Sequence, residues 1–335
     1  MTSFIIRRLL LIVPTVFVAL SFLFLIFFAL PGDPANLIAG GAERNIDPGV
    51  IERINERYGL DEPMTTQFVK YWQRTLQWDL GDSFLTRRSV NETLGQRAPN
   101  SIRLAFWAIV IEIVVGISVG LVSAIRRYSI GDRFTTIVTA AASAIPVFVL
   151  GLVLQWMFAV QPNKHDWPEW ARLRTSGIGP DSWAFFVIPT GEQWRYLILP
   201  AITLASVTTA LLARMTRGSM LEVLRADYMR TARSKGLRER DVVMRHGLRN
   251  ALLPVVTLIG LDFGTAIGAA VLTETTFSWP GIGSQIVDSV TARDLPVILG
   301  LTLVVVLAYT VVNLIVDISY AWVDPRIRLG KGGQS

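Results

Sequence analysis

Cysteine is absent from the 335 residues, and histidine occurs only at His165 and His246. The first absence excludes disulfides, thiol catalysis and thiolate metal sites. The second, with no H-E-x-x-H or other clustered histidine and carboxylate spacing, leaves no donor set for a metal-dependent hydrolase. No G-x-S-x-G elbow occurs, and no G-x-x-x-x-G-K-[ST] phosphate loop; the terminal GKGGQS has neither the spacing nor the following hydroxyl residue. The sequence therefore predicts no catalytic residue, no metal and no cofactor on this chain, and any nucleotide-driven step must come from another chain. Charge is scarce too. Charged residues make up 17% of the sequence against 51% apolar, and they are gathered in blocks between apolar runs, the pattern of a polytopic membrane protein.

The apolar runs are where the information begins. Leu9 to Leu30 carries no charge and as a helix would reach ~33 Å, enough to span the hydrocarbon. Arg7 and Arg8 precede it, as in a signal peptide, but the run is too long for a signal h-region and FFALPGDPA offers no small-x-small cleavage site, so a retained anchor is expected. Further spans are predicted at 103–124, 134–160, 195–215, 251–275 and 297–320, six in all. Pro146 is expected to kink one and Pro200 falls in another, where neighbouring helices can satisfy freed carbonyls. The expected organisation is a short N-terminus and first helix over 1–30, an external insert over 31–100, a five-helix core over 101–325 with a cytoplasmic loop at 217–250, and a tail at 326–335. In the insert Ile51, Ile54 and Tyr58, then Phe68, Tyr71, Trp72 and Leu76, recur at helical spacing. Basic residues outnumber acidic ones on the side holding both termini, so the positive-inside rule predicts both termini in the cytoplasm. The net charge of +6 is then mostly topology, and the arginine-rich 227–254 stretch lacks interleaved aromatic platforms for nucleic acid.

Inside the spans two patterns stand out. Gly260, Gly264 and Gly268 form one stripe at i, i+4, i+8, and Gly116 and Gly120 form another that Glu112 joins; both permit close helix approach. Glu112, Asp262, Glu274 and Asp317 are intramembrane carboxylates, candidates for a hydrated translocation path or for polar packing. After Gly218 the pattern reads as a helix with Leu221, Leu224, Tyr228 and Ala232 on one narrow face, flanked by Arg217, Arg225 and Lys235. Gly236 supplies a left-handed stop, and a second short helix is expected from about 239.

RTARSKGL followed by RHGLRNALLP resembles the cytoplasmic loop of ABC importer permeases, and Arg230, Thr231 and Ala232 stand where the general pattern has Glu-Ala-Ala, a departure usual in the peptide-importer branch. PGDPA, YGLDEPMTTQF, DLGDSF, ETTFSWPGIG, RDLPVILG and DPRIR, in that order, are similar to the first of the two permeases of dipeptide and oligopeptide importers. The stretch around QPNKHDWPEWARLRTSGIGPDSW is less family-like. The resemblance implies an all-α, six-helix type I ABC importer permease fold in a bacterial or archaeal cell membrane. It also implies a homologous second permease, two ATPase subunits holding ATP and magnesium, and an extracytoplasmic solute-binding protein. Tyr228, Arg230, Thr231, Ala232, Arg233, Gly236 and Leu237 are then the expected ATPase contact through a coupling helix. Within the family the cargo could be peptide, nickel chelate, glutathione or oligosaccharide. Outside it, the carboxylates leave open an ion-coupled secondary transporter, and the basic loop a scaffold bound to anionic lipid.

Overall fold

The computed structural model describes residues 2–29, 35, 48–180, 183–292 and 294–323. Most of PGDPA, all of DPRIR and the tail fall outside them. The chain begins with α1 (Thr2–Ala29), followed by α2 (Pro48–Tyr58) and α3 (Met64–Leu76), the helices expected in the insert. Then come α4 (Val90–Ile125), α5 (Ile130–Ala144) and α6 (Val147–Gln155), the last prolonged by a π-helical turn at Trp156–Val160 into α7 (Gln161–Lys164). A hairpin pairs β1 (Trp183–Ala184) with β2 (Ile188–Pro189). The remainder is α8 (Gln193–Val223), α9 (Asp227–Ser234), α10 (Glu239–Asp241), α11 (Arg249–Thr276), α12 (Ile282–Ala292) and α13 (Leu295–Val323).

Set against six expected spans, four helices among the described residues are long and apolar enough to cross a membrane: Val90–Ile125, Gln193–Val223, Glu239–Gly260 and Leu295–Val316. The pair α5 and α6 makes a fifth if counted as one span, and the apolar stretch described in α1 is the shorter Leu10–Ile26. Pro146 does more than kink its span. The two halves meet at 111°, because Ile145, restrained by the following proline, takes an extended φ/ψ of −86°/129° and Pro146 cannot donate to the preceding turn. Ser129 caps α5 by accepting from the Asp132 amide at 3.2 Å, which fixes where the chain re-enters helix after the 126–128 turn.

The chain divides into two compact units. One comprises residues 100–280 with the described part of 311–335. Its core gathers Leu104 and Ala108 of α4, Leu197, Ala201, Leu204 and Ala205 of α8, and Trp279. A methyl group on Gly116 would lie 2.8 Å from Leu212 Cβ, and one on Gly120 only 2.5 Å from the Ala213 carbonyl and 2.7 Å from Thr216 Cβ. The α4 glycine stripe thus brings α4 and α8 into backbone contact, as small residues do between membrane helices. The other unit comprises residues 2–99 and 281–310. There Leu20, Leu80, Val90, Val297, Leu301 and Leu303 pack together, and Phe24 stacks on Tyr71 with ring centroids 5.4 Å apart. Ser83 and the Phe84 amide both donate to Asp294, so the turn in DLGDSF is tied to the aspartate of RDLPVILG.

Candidate coupling segment and buried charges

The arginine-rich segment folds as a helix, a turn and a helix, with two corrections to the sequence reading. The expected stripe of Leu221, Leu224, Tyr228 and Ala232 is not one face, because the helix breaks between Val223 and Asp227 with Ala226 extended at φ/ψ −68°/148°. Leu221 lies in α8 and Leu224 caps its end, while Tyr228 and Ala232 belong to α9. Nor is Ala232 presented outward: Met229 and Ala232 are the buried residues of α9 and pack on Val242, with Val223 and Leu224 at the edge of the cluster. A periodic pattern cannot reveal a break made by one extended residue, and the buried Met229 lies off the stripe that the period selects. The second correction concerns the expected short helix near 239. It is continuous with the next span, running from α10 through a π-helical stretch, Val242–Leu248, into α11.

Of the expected contact residues, α9 therefore shows Tyr228, Arg230, Thr231 and Arg233 to solvent, alongside Asp227 and Ser234, and past the turn Leu237 is exposed as well. Gly236 has φ +74° and open space around its Cα, the left-handed position for which glycine is expected. Arg233 closes the turn by a forked pair to Glu239, its Nη2 2.9 Å from Oε1 and its Nε 3.1 Å from Oε2, and that carboxylate raises the guanidinium pKa further. Tyr228 is tied back to α11, its hydroxyl accepting from Asn250 Nδ2 at 3.2 Å. Met229 fills the space beside Gly247, where its Cε would lie 3.3 Å from an added methyl group. The result is a short basic helix, held on one side by apolar contacts and closed at its end by an ion pair.

The four intramembrane carboxylates separate. Glu112 is 4% exposed on the same α4 face as Gly116 and Gly120, and Glu274 is 1% exposed and accepts from Ser101 Oγ at 2.6 Å. Around Glu274 the Trp279 indole donates to the Asn100 carbonyl at 3.0 Å and Asn100 Nδ2 to the Pro280 carbonyl at 2.9 Å. Glu274 thus sits in packed polar surroundings in this conformation, and Glu112 is buried on the glycine face of α4. The side chains of Asp262 and Asp317 lie outside the described ones, as does the neighbourhood of Gly264. A methyl group on Gly268 would meet nothing within 4 Å, so that end of the α11 stripe makes no close contact among the described residues.

Two buried carboxylates among the described residues, Asp132 and the Asp294 already placed on the Ser83 turn, have no counterpart among the expected four. Asp132, 4% exposed, receives Arg217 in a fork, Nε to Oδ1 at 2.6 Å and Nη2 to Oδ2 at 2.8 Å. Ser123 Oγ and the Tyr128 amide, the latter at 2.9 Å, donate to the same carboxylate. In the sequence Arg217 reads as a flanking surface charge; the single usable signal is an aspartate three residues after a capping serine.

Comparison with known proteins is consistent along the whole length. Residues 116–329 match the family described as "Binding-protein-dependent transport system inner membrane component". Residues 1–105 match the one described as "Binding-prot-dependent transport system membrane comp, N-term". The chain is 39% identical over 328 residues to the glutathione transport system permease protein GsiC of Escherichia coli (strain K12), covering 98% of this chain and 99% of that protein. The protein of the same name from Pectobacterium atrosepticum has the same identity and coverage. A solved amino acid ABC transporter, crystallised with histidines, covers 69% of this chain and 94% of its own at 12% identity and a TM-score of 0.48.

Proposed function

The chain belongs to the family of binding-protein-dependent transport system inner membrane components, the non-catalytic, multi-pass permease subunits of ABC importers, and from that premise we propose that it imports short peptides, glutathione first among them. Two observations support this cargo. The motifs from YGLDEPMTTQF to RDLPVILG resemble those of peptide-importer permeases, and the full-length relatives carry the name of a transporter for glutathione, a tripeptide. A path that accepts peptides works through backbone contacts and water, which agrees with the lack of a charged binding cluster in the sequence.

In this reading the chain pairs with a homologous permease to form half of the path, with both termini and α9 in the cytoplasm. A solute-binding protein delivers cargo from outside. Two ATPase subunits receive α9 through Tyr228, Arg230, Thr231, Arg233 and Leu237, with Gly236 and the buried Ala232 setting its pose. ATP-driven closure of the ATPases then moves the attached helices as near-rigid bodies. The observation that carries the reading is the α9 segment itself, a basic helix fastened beneath a membrane span by Met229 and ended at Gly236. The motion is this chain's contribution; ATP chemistry takes place elsewhere.

The test is purification of the tagged chain in mild detergent from cells expressing the whole importer. A homologous permease and an ATPase are expected to come with it, and Gly236→Val to lose the ATPase alone. Recovery of the chain without either overturns the reading. Uptake of labelled glutathione, a dipeptide and a nickel chelate into proteoliposomes of the full complex then assigns the cargo; accumulation of the chelate alone would overturn the peptide assignment.

A further inference from the structure

We propose that Arg217 and Asp132 are positioning residues for transport, a clamp through which displacement of α9 is passed to α5. The inference rests on the reading of α9 as the ATPase contact.

Along α5 few side chains are buried. Its buried residues are Asp132 and Thr139, whereas Ile130, Phe134 and Ile137 are exposed. Both buried positions meet an arginine of α8, Asp132 through the Arg217 fork and Thr139 through its carbonyl, which accepts from Arg214 Nη1 at 3.5 Å. Such an attachment differs in kind from an apolar one. Methyl and methylene surfaces slide over one another at small cost, but a guanidinium on a carboxylate keeps both bonds in only one orientation. In addition, Asp132 also holds the Ser123 hydroxyl and the Tyr128 amide, so the fork fixes the α4–α5 turn as well as the helix. Wherever the lower end of α8 goes, the start of α5 must follow.

The lower end of α8 is where α9 rests. Val223 and Leu224 flank the cluster of Met229, Ala232 and Val242, and they also flank the cluster of Ala124, Met220, Val243 and Ala251. Arg217 lies two turns above Leu224 on the same helix. At its far end α5 stops at Ile145 and Pro146, where the chain turns through 111°. Beyond the turn α6 has its own seat, with Gly151 so close to Phe277 and Thr203 that a methyl group there would lie 3.1 and 3.2 Å from them. Helix α5 is therefore an arm with a hinge at one end and a charged clamp at the other, and the clamp is one rigid helix away from the proposed ATPase contact.

The experiment uses the complete importer, both permeases, the ATPases and the binding protein, in proteoliposomes. Asp132→Asn and Arg217→Gln are each expected to keep the ATPase bound and basal hydrolysis near wild type while cargo moved per ATP falls about tenfold, within the usual range of coupling energies. The double variant should lose no more than either single, since the pair acts as a unit, and Arg217→Lys should fail as well because it keeps charge without the fork. A fluorophore on Ile137→Cys, the sole thiol in a chain without cysteine, reports α5 directly: its emission should shift with nucleotide, and Asp132→Asn should abolish the shift. Unchanged cargo per ATP in Asp132→Asn overturns the clamp, as does a parallel loss of assembly, hydrolysis and transport, which would mark simple structural support. Gly236→Val, measured alongside, separates the two ideas. If it keeps its ATPase, the docking reading fails; if it loses the ATPase while Asp132→Asn couples normally, the clamp alone fails.

Discussion

Ser101 of α4 donates its hydroxyl to Glu274 near the end of α11 over 2.6 Å, joining positions 173 residues apart. The bond makes Glu274 a structural acceptor in this conformation, and replacing the carboxylate by an amide separates that role from the charge. Glu274→Gln keeps an oxygen for Ser101 and is expected to transport within about twofold of wild type, whereas Glu274→Ala should lower stability by ~1–3 kcal/mol through unsatisfied buried donors. Thermal unfolding in detergent and uptake into proteoliposomes measure the two effects. Abolished uptake by a normally stable Glu274→Gln would return the carboxylate to the translocation path.

The two glycine stripes make opposite predictions. Gly120→Val drives a branched side chain into the Ala213 carbonyl and Thr216 and should cost about 1–3 kcal/mol as α4 and α8 are pushed apart. Gly268→Ala meets open space among the described residues, and the gain in helix propensity should stabilise the isolated subunit by roughly 0.5–1 kcal/mol. Melting of the isolated subunit checks both. If Gly268→Ala also weakens recovery of the second permease, the α11 stripe is the interface between the two.

Hydropathy and helical period are enough to locate the apolar helices, the paired helices of the insert and the turn at Gly236, because those depend on residues near one another in the chain. What they cannot supply depends on distant partners. Pro146 announces a disturbed helix, but the 111° angle depends on where α5 and α6 each find packing. Arg217 and Asp132 lie 85 positions apart, and nothing local marks an arginine beside a basic loop as buried in a fork. On α9 the helical period points to the apolar residues as the docking face, yet in so short a helix the apolar side serves to hold it to its own chain. Under the proposed docking, the side left to face a partner is then the polar one.

Asp294 offers a test of the other unit. Its carboxylate accepts from the Ser83 hydroxyl and, at 3.1 Å, from the Phe84 amide, and it is 4% exposed. Asp294→Ala leaves both donors buried without that acceptor, a loss of ~1–3 kcal/mol for the contact. Hydrogen exchange at the Phe84 amide should accelerate about tenfold or more, in keeping with that loss, while amides of α9 exchange as before. Uniform acceleration across the chain would instead mean that the Ser83 turn is part of a global unfolding unit.

Met229 and Leu237 should separate holding the coupling segment from presenting it. Met229 is fully buried between α9 and the stretch from Val242 to Gly247, so Met229→Ala removes packing worth ~2–5 kcal/mol in a buried core. It should lower the melting temperature of the isolated chain and loosen α9 before any partner is considered. Leu237 is exposed just past Gly236, and a single exposed leucine contributes little to the subunit's own stability, within about 0.5 kcal/mol. At an interface a well-packed apolar anchor is worth more than ~1 kcal/mol. Leu237→Ala is therefore expected to melt like wild type while the ATPase dissociates at least about fivefold more readily, measured by washing immobilised complex and quantifying the retained ATPase. Equal retention would move the contact onto the other outward side chains of α9, Arg230 and Thr231 first, since Arg233 is engaged by Glu239 and Tyr228 by Asn250.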